Sequence, residues 1–250
     1  GASGLALARR AEPRRPDGDG LARGAVPAKR SGRPVQLAFV LLNLPALTDP
    51  AHEERSPLYS ATVDLLFFPT GGGKTEAYLG LAAYTFAIRR LQGVIGSGSE
   101  AREGGEGVAV LMRYTLRLLT AQQFQRAAAL VCACDYLRKQ QAASGDRRWG
   151  ETPFRIGLWV GQAASPNTYT DAAAQIRAAR GQGRGTGSKV LQLLTCPWCP
   201  AEVRESHDID PQAAQRRGYI SCSEEDGPCP FARRQPQDAG LPAVTTHEGI

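Results

Sequence analysis

Between Asp64 and Glu76 the chain reads Asp64-Leu-Leu-Phe-Phe-Pro-Thr-Gly-Gly-Gly-Lys-Thr-Glu76: an apolar run, a glycine loop, then a lysine and a threonine heading a helical pattern. These residue types in this order suit the phosphates of a nucleotide. Behind Thr70, the Cβ-free residues Gly71, Gly72 and Gly73 let the backbone curl so that several N–H groups face one phosphate cluster. A helix starting at this point adds its free N–H groups and its dipole to the same site. Lys74 would reach the β/γ-phosphates of ATP, and the Thr75 hydroxyl would take a coordination position on Mg²⁺; these two are the expected catalytic residues. Glu76 completes the expected nucleotide-binding stretch. The bland alternative is a flexible glycine turn before a helix, which the strand-loop-helix context disfavours.

The six cysteines fall into two groups. Cys132 and Cys134 are two apart on a helical stretch and face different ways, as core thiols. Cys196-Pro-Trp-Cys199 and the pair Cys222 and Cys229 have the ligand count of a tetrahedral thiolate site, which favours a structural Zn²⁺. The six-residue gap between Cys222 and Cys229 is wider than the usual two to four. His207 lies between the pairs as a spare ligand, but four cysteines already close the shell.

Alternating elements must position these groups. Val35 to Leu44 reads as a short buried helix and Thr62 to Phe68 as a strand with the near-continuous apolar run of a covered parallel sheet. Lys74 to Leu91 is helical, with Ala77, Leu81, Tyr84 and Ile88 as its stripe. Gly93 to Gly107 is Gly/Ser/Glu-rich and predicts a mobile surface loop. Val108 to Met112 is a second strand. A long helix follows to near Gln141, marked by Leu116, Leu119, Phe124, Ala127, Ala128 and Val131. Arg155 to Val160 is a third strand and Thr170 to Arg180 another helix. The alternation predicts an α/β fold with a parallel sheet and right-handed crossovers, its ligand at the carboxyl ends of the strands. From Gly181 the chain becomes glycine-rich, then turn- and cysteine-rich. The expected division is a basic, disordered lead-in (1–34), an incomplete α/β lobe (35–187), a cysteine-rich zinc-binding insertion (188–235) and a truncated continuation (236–250).

The 250 residues are 42% apolar, enough for a packed core, and carry a formal charge of +6. In residues 1–34 eight Lys and Arg stand against three Asp and Glu, a local +5; this Pro/Gly/Arg-rich stretch is expected to be a solvated arm rather than a packed element. No segment has the eighteen or so apolar residues of a membrane span. Nor is there an N-terminal basic-then-apolar targeting pattern. The expected location is the cytoplasm, where disulfides are the weaker explanation for the cysteines. The first residue is Gly1, and Leu241 to Ile250 carries no helix stop, so the chain reads as a fragment of something longer.

Pro69 to Thr75 closely resembles the phosphate loop of superfamily-two (DEAD/DEAH-like) helicases, Pro-Thr-Gly-x-Gly-Lys-Thr. Phe68 stands where the general G-x4-G-K-[S/T] loop has its first glycine. Arg113-Tyr-Thr-Leu-Arg-Leu-Leu-Thr-Ala-Gln-Gln123 resembles helicase motif Ia, which contacts the nucleic-acid backbone. Arg113 and Arg117 can pair with phosphates and Thr115 can offer a hydroxyl at a helix start; read blandly, they are solvated charges and an N-cap. Gly161, within Gly157-Leu-Trp-Val-Gly161, would let a backbone sit close, and Ser165, Asn167 and Thr168 could donate to phosphates, although a turn and a helix cap explain Ser165-Pro-Asn-Thr168 equally well. Arg33-Pro-Val-Gln36 looks like the Arg-x-x-Gln segment upstream of the phosphate loop, and the Gln36 amide could present a donor and an acceptor to adenine.

In this order, together with Gln36-Leu-Ala-Phe-Val-Leu-Leu-Asn-Leu44 and Cys196-Pro-Trp-Cys199, these stretches resemble the large helicase subunit of the DISARM bacterial anti-phage systems. The resemblance runs from about Arg33 to the C-terminus. It implies the first RecA-like lobe of a P-loop NTPase, interrupted by a zinc-binding insertion, in an ATP-dependent DNA motor that works in phage defence with other subunits. An acidic pair at the end of an apolar strand, needed to hold Mg²⁺ for hydrolysis, is not found before Ile250, so the fragment alone is expected to be inactive. The competing readings are a non-catalytic nucleic-acid-binding module with a degenerate loop and a zinc ribbon, and another P-loop NTPase such as a kinase.

Overall fold

A computed structural model describes residues 33–55, 61–67, 73–114, 117–158, 160, 164–182, 189–233, 240–241 and 244–247. The lead-in to residue 32, Thr70, Gly71, Gly72, Thr115, Gly161 and the boundary near Gly187 lie outside them. The chain groups into two compact units, one running up to Arg113 and including Arg138–Thr152, the other made of Tyr114–Leu137 and the chain from Pro153 onward.

In the first unit, helix α1 (Pro34–Thr48) starts on Pro34, with the Gln36 side chain accepting the Arg33 N–H at 2.8 Å. It packs on helix α2 (Lys74–Gln92). The Thr48 and Tyr84 hydroxyls share a hydrogen bond, Gln92 Nε2 donates to the Thr48 carbonyl at 2.7 Å, and Gln36 Nε2 donates to the Gly73 carbonyl at 2.7 Å. With amino ends tied together and carboxyl ends tied together, the two helices run in the same direction. The expected stripe on α2 is only partly buried: Ala77 is inside with Leu79 and Ala82, while Leu81, Tyr84 and Ile88 are intermediate.

Four expectations change in this unit. Helix α1 forms, but none of its residues is buried, and Val35, Leu37, Leu41 and Leu42 are each more than half exposed. The apolar run at 61–67 forms no strand; Val63, Leu65 and Phe67, which would share one face, are 86–91% exposed. Residues 108–113 behave the same way, with Val108 and Leu111 open to solvent. A parallel strand needs a neighbour to complete its ladder, and among the described residues neither run finds one. Conversely, the supposedly mobile Gly93–Gly107 is an ordered hairpin. Strands β1 (Val94–Ile95) and β2 (Arg102–Glu103) pair antiparallel, and Gly104 N–H bonds the Gly93 carbonyl at 2.8 Å. The Arg89 guanidinium clamps the exit by donating to the carbonyls of Glu106 and Val108 at 2.8 and 3.0 Å. Gly104 is required there, since a Cβ would sit 1.7 Å from the Arg89 carbonyl oxygen.

The second unit is built on helices α3 (Arg117–Ala143, its last residues belonging to the first unit) and α4 (Tyr169–Gln182). Phe124, Ala127, Ala128 and Val131 of α3 are buried as their spacing predicts. Thr168 caps α4, its Oγ1 accepting the Asp171 N–H at 3.2 Å. Ala172, Ala173, Ile176 and Ala179 form the buried stripe of α4. Residues 155–158 and 160 carry an isolated bridge at Ile156 rather than the third expected strand. After a four-residue turn of helix, α5 (Glu205–Asp208), comes an antiparallel sheet in the order β3 (Ile209–Gln212), β4 (Arg217–Ile220), β5 (Val244–His247). Its core joins Phe124, Ile176, Val190, Leu193, Ile209 and Phe231 to the cysteines. The architecture is therefore mixed α/β with small antiparallel sheets, and no parallel sheet occurs among the described residues. No helix among them is long and apolar enough to cross a membrane.

Candidate functional site

The glycine loop delivers Lys74 and Thr75 into the first turn of α2. Gly73, the N-cap, has φ +83°, a left-handed conformation that costs an L-residue about 1–2 kcal/mol. A Cβ would also lie 2.1 Å from Gln36 Nε2, so a side chain here would displace the Gln36 amide from its bond to the Gly73 carbonyl. Lys74, Thr75 and Glu76 are each half-buried. The Thr75 Oγ1 accepts a hydrogen bond from the Tyr78 hydroxyl at 2.9 Å.

Gln36 does more than its expected role required. Its oxygen accepts from Arg33 N–H and its nitrogen donates to Gly73, so it joins the start of α1 to the last residue of the loop. An amide has two lone pairs and two N–H groups, and these two bonds use one of each. Of the other expected site residues, Arg113 is exposed, only the backbone of Arg117 is described, and Thr115 and Gly161 lie outside the described residues.

The second site is a cluster of sulfur. The Sγ atoms of Cys196, Cys199, Cys222 and Cys229 all lie within 4.8 Å of one another. Cys196 and Cys229 are 3.9 Å apart and Cys199 and Cys222 3.3 Å. All are free thiols, and a disulfide would need about 2.05 Å. A tetrahedron with metal–sulfur bonds of about 2.3 Å has edges of about 3.8 Å, so these residues fit one mononuclear metal ion.

Two small frameworks aim the thiols. The first knuckle sits on a turn in which Cys196 N–H bonds the Ala201 carbonyl at 2.7 Å and Val203 N–H the Leu194 carbonyl at 3.0 Å. The second absorbs its wide spacing by folding back on itself. Gly227 N–H bonds the Glu224 carbonyl at 3.2 Å, Cys222 N–H bonds the Phe231 carbonyl at 3.0 Å, and Glu224 N–H points at Cys222 Sγ at 3.5 Å. Trp198, between the first two cysteines, is held by Tyr136 and Phe231 with ring centroids 4.9 and 5.6 Å away. His207 is not a ligand: its Nδ1 faces the Asp208 carboxylate at 2.8 Å and its Nε2 faces Glu225.

The electrostatics suit a cation. The hydrogen bond with Cys196 drives the Cys199 thiol well below its ordinary range, while contact with Cys196 and Cys199 drives Cys222 and Cys229 above theirs. The four thiols thus perturb one another strongly, and a divalent ion held by them would stabilise every thiolate at once. Cys134 is different in kind: burial, and then Asp135, push its thiol up to about 12, and Cys132 is buried in the core. These two are packing residues.

Sequence spacing did not signal Tyr78 or the aromatic brace of Trp198. The three-residue step from Thr75 to Tyr78 on one helix was the available clue to the first.

No protein-family model matches the chain. Among known proteins, it is 47% identical over 139 residues to the DISARM protein DrmA of Bacillus paralicheniformis (strain ATCC 9945a / NCIMB 11709 / CD-2). The match takes in 56% of this chain and 11% of that protein. Identity at this level supports a DrmA-type relationship, and the chain spans only about a tenth of the relative's length.

The cluster predicts a metal stoichiometry. Chain purified without added metal should contain one divalent ion per molecule by elemental mass spectrometry. Because protons compete with the metal for thiolates, the ion should be lost as the pH falls. Cys199→Ser should lower occupancy at least severalfold, and full stoichiometry in that variant would remove Cys199 from the shell.

Proposed function

We propose that this chain carries the ATP-binding loop of a nucleic-acid-dependent ATPase of helicase type, a DNA motor of a bacterial phage-defence system. The observation that carries the reading is the entry into α2 through a left-handed glycine, with Lys74 and Thr75 in the first turn. That arrangement leaves helix N–H groups facing the loop where an anion gains most. Lys74 would neutralise the β/γ-phosphates and Thr75 Oγ1 would hold Mg²⁺, which when bound spreads the charge of the phosphates. Gly73 and the glycines before it would offer backbone N–H groups, Glu76 would support the helix start, and Gln36 would meet the adenine with its remaining donor and acceptor.

The exposed apolar runs at 61–67 and 108–113, which form no strand among the described residues, support a larger fold. In this reading they become inner strands of a RecA-like parallel sheet once further strands of a longer protein lie beside them. An acidic strand end and a second lobe would come from that protein, and this chain alone would bind nucleotide without appreciable turnover. The similarity to DrmA supports the defence setting and the expectation of partner subunits.

The metal centre takes a structural part, and Zn²⁺ is the ion that four thiolates in a tetrahedron favour. Its charge argues against a ribbon that grips DNA. Residues 188–235 carry six Lys and Arg against seven Asp and Glu, without the basic excess that tracks phosphates. Nucleic-acid binding falls instead to Arg113, Thr115, Arg117 and Gly161, near the loop ends where such a lobe would present a backbone track.

Isothermal titration should detect weak, Mg²⁺-dependent binding of ADP or ATP, and Lys74→Ala should weaken it at least tenfold by removing the charge on the phosphates. Equal affinity in the two proteins would dismiss the assignment. In the full-length protein, arginine–phosphate pairing predicts sequence-tolerant binding that weakens steeply with salt. Removing one phosphate-pairing arginine should flatten the log–log salt slope by about 0.7 on single strands. Arg113→Ala with Arg117→Ala should therefore show a shallower slope; an unchanged slope returns both to ordinary surface charges.

A further inference from the structure

The first turn of α2 holds a hydrogen bond that phosphate binding itself does not require. The Tyr78 hydroxyl donates to Thr75 Oγ1 at 2.9 Å, one turn along the same helix. The two other helical threonines whose hydroxyl bonds are described in this unit both spend their hydrogen on the helix backbone, and Thr48 also meets the Tyr84 hydroxyl. Thr85 Oγ1 donates to the Leu81 carbonyl at 2.8 Å and Thr48 Oγ1 to the Leu44 carbonyl at 2.6 Å, the usual back-bond of a helical threonine. Thr75 Oγ1 instead accepts, from the Tyr78 phenol, and no bond to a backbone carbonyl is described for it.

We propose that Tyr78 is a positioning residue for the divalent cation of the nucleotide site. A hydroxyl oxygen offers one O–H and two lone pairs besides its bond to carbon. Tyr78 occupies one lone pair. That fixes the orientation of Thr75 Oγ1 in the protein before any ligand arrives, leaving the second lone pair for the cation and the hydrogen for an acceptor. A threonine without this partner would have to be turned into place during binding, at the cost of its rotational freedom and of whatever bond it had made meanwhile. The half-buried phenol ring also keeps that side of the hydroxyl from water. Beside it, Gly73 enters the helix in the left-handed conformation that leaves the first-turn N–H groups facing the loop. The inference rests on the nucleotide reading of the loop and adds to it the device that sets its metal ligand.

The experiment is a titration of the chain with ADP in the presence of Mg²⁺ and again in excess chelator, for the parent chain, Tyr78→Phe, Thr75→Ala and the double variant. Phenylalanine keeps the ring and removes only the donor. The parent should bind more tightly with Mg²⁺, and Tyr78→Phe should lose about fivefold of that enhancement, as expected for one hydrogen bond, while its affinity in chelator stays within about twofold. In the Thr75→Ala background, Tyr78→Phe should change nothing, because its partner is already gone. A merely structural Tyr78 would weaken both arms equally or move neither. If Tyr78→Phe keeps the full Mg²⁺ enhancement, or weakens binding as much in chelator as in Mg²⁺, the positioning role is overturned while the nucleotide reading stands. If the parent binds ADP in neither buffer, the nucleotide reading fails, and this role fails with it.

Discussion

Four sulfur atoms must share one small volume, and the second unit is arranged around that requirement. The thiols of Cys196, Cys199, Cys222 and Cys229 lie within 4.8 Å of one another, and the cysteines are wholly buried except for Cys199. Four thiolates so close repel, and four thiols make only weak hydrogen bonds; a divalent ion turns the same crowding into cohesion. Phe231, Leu193 and Val190 pack around the cluster, and Trp198 is braced beside it. Helix α4 joins through Arg180, whose guanidinium donates to the carbonyls of Ser206 and Ile209 at 3.1 and 2.8 Å, at the end of α5 and the start of β3. Knuckles, sheet and helix thus form one mechanical piece.

The first unit depends on a smaller constraint, the left-handed turn at Gly73. Gln36 spans from the start of α1 to that turn, so the helix and the loop cannot shift independently without breaking a hydrogen bond at 2.7 Å. The far end is pinned by Gln92 on Thr48. Two parallel helices locked at both ends hold the head of α2 steady, although much of α1 faces solvent. In the proposed function this rigidity is useful: phosphate groups meet a preset backbone, and the ordering cost falls on folding rather than on binding.

How far these features could be read from the residues varies with their physical origin. Helices declared themselves through local periodicity: α2, α3 and α4 lie close to their expected spans, and the stripe Phe124, Ala127, Ala128, Val131 is inside. The cysteine cluster was legible because ligand chemistry restricts residue type; its wide second spacing proved harmless because the Glu224–Gly227 turn folds the excess away. Strands were less legible, since an apolar run becomes a strand only when another backbone lies beside it. Val63, Leu65 and Phe67 have the pattern but no partner strand among the described residues. The glycine-rich stretch from Gly93 to Gly107 misled in the other direction. Gly104 serves close approach there, against the Arg89 carbonyl, within a paired hairpin. Gln36 stands out in the sequence for its amide, yet its bonds to the backbone depend on a fold that spacing alone does not show.

The central claim is that the entry to α2 is a nucleotide site, and backbone hydrogen exchange reads it most directly. Amides of residues 71–79 should exchange more slowly when Mg²⁺ and ADP are added to the intact chain, because those N–H groups would face phosphate, and the start of α1 should follow through Gln36. Exchange in the metal-bearing unit should stay as it was. Unaltered exchange across 71–79 at saturating nucleotide, in chain that is otherwise folded and metal-loaded, would contradict the account.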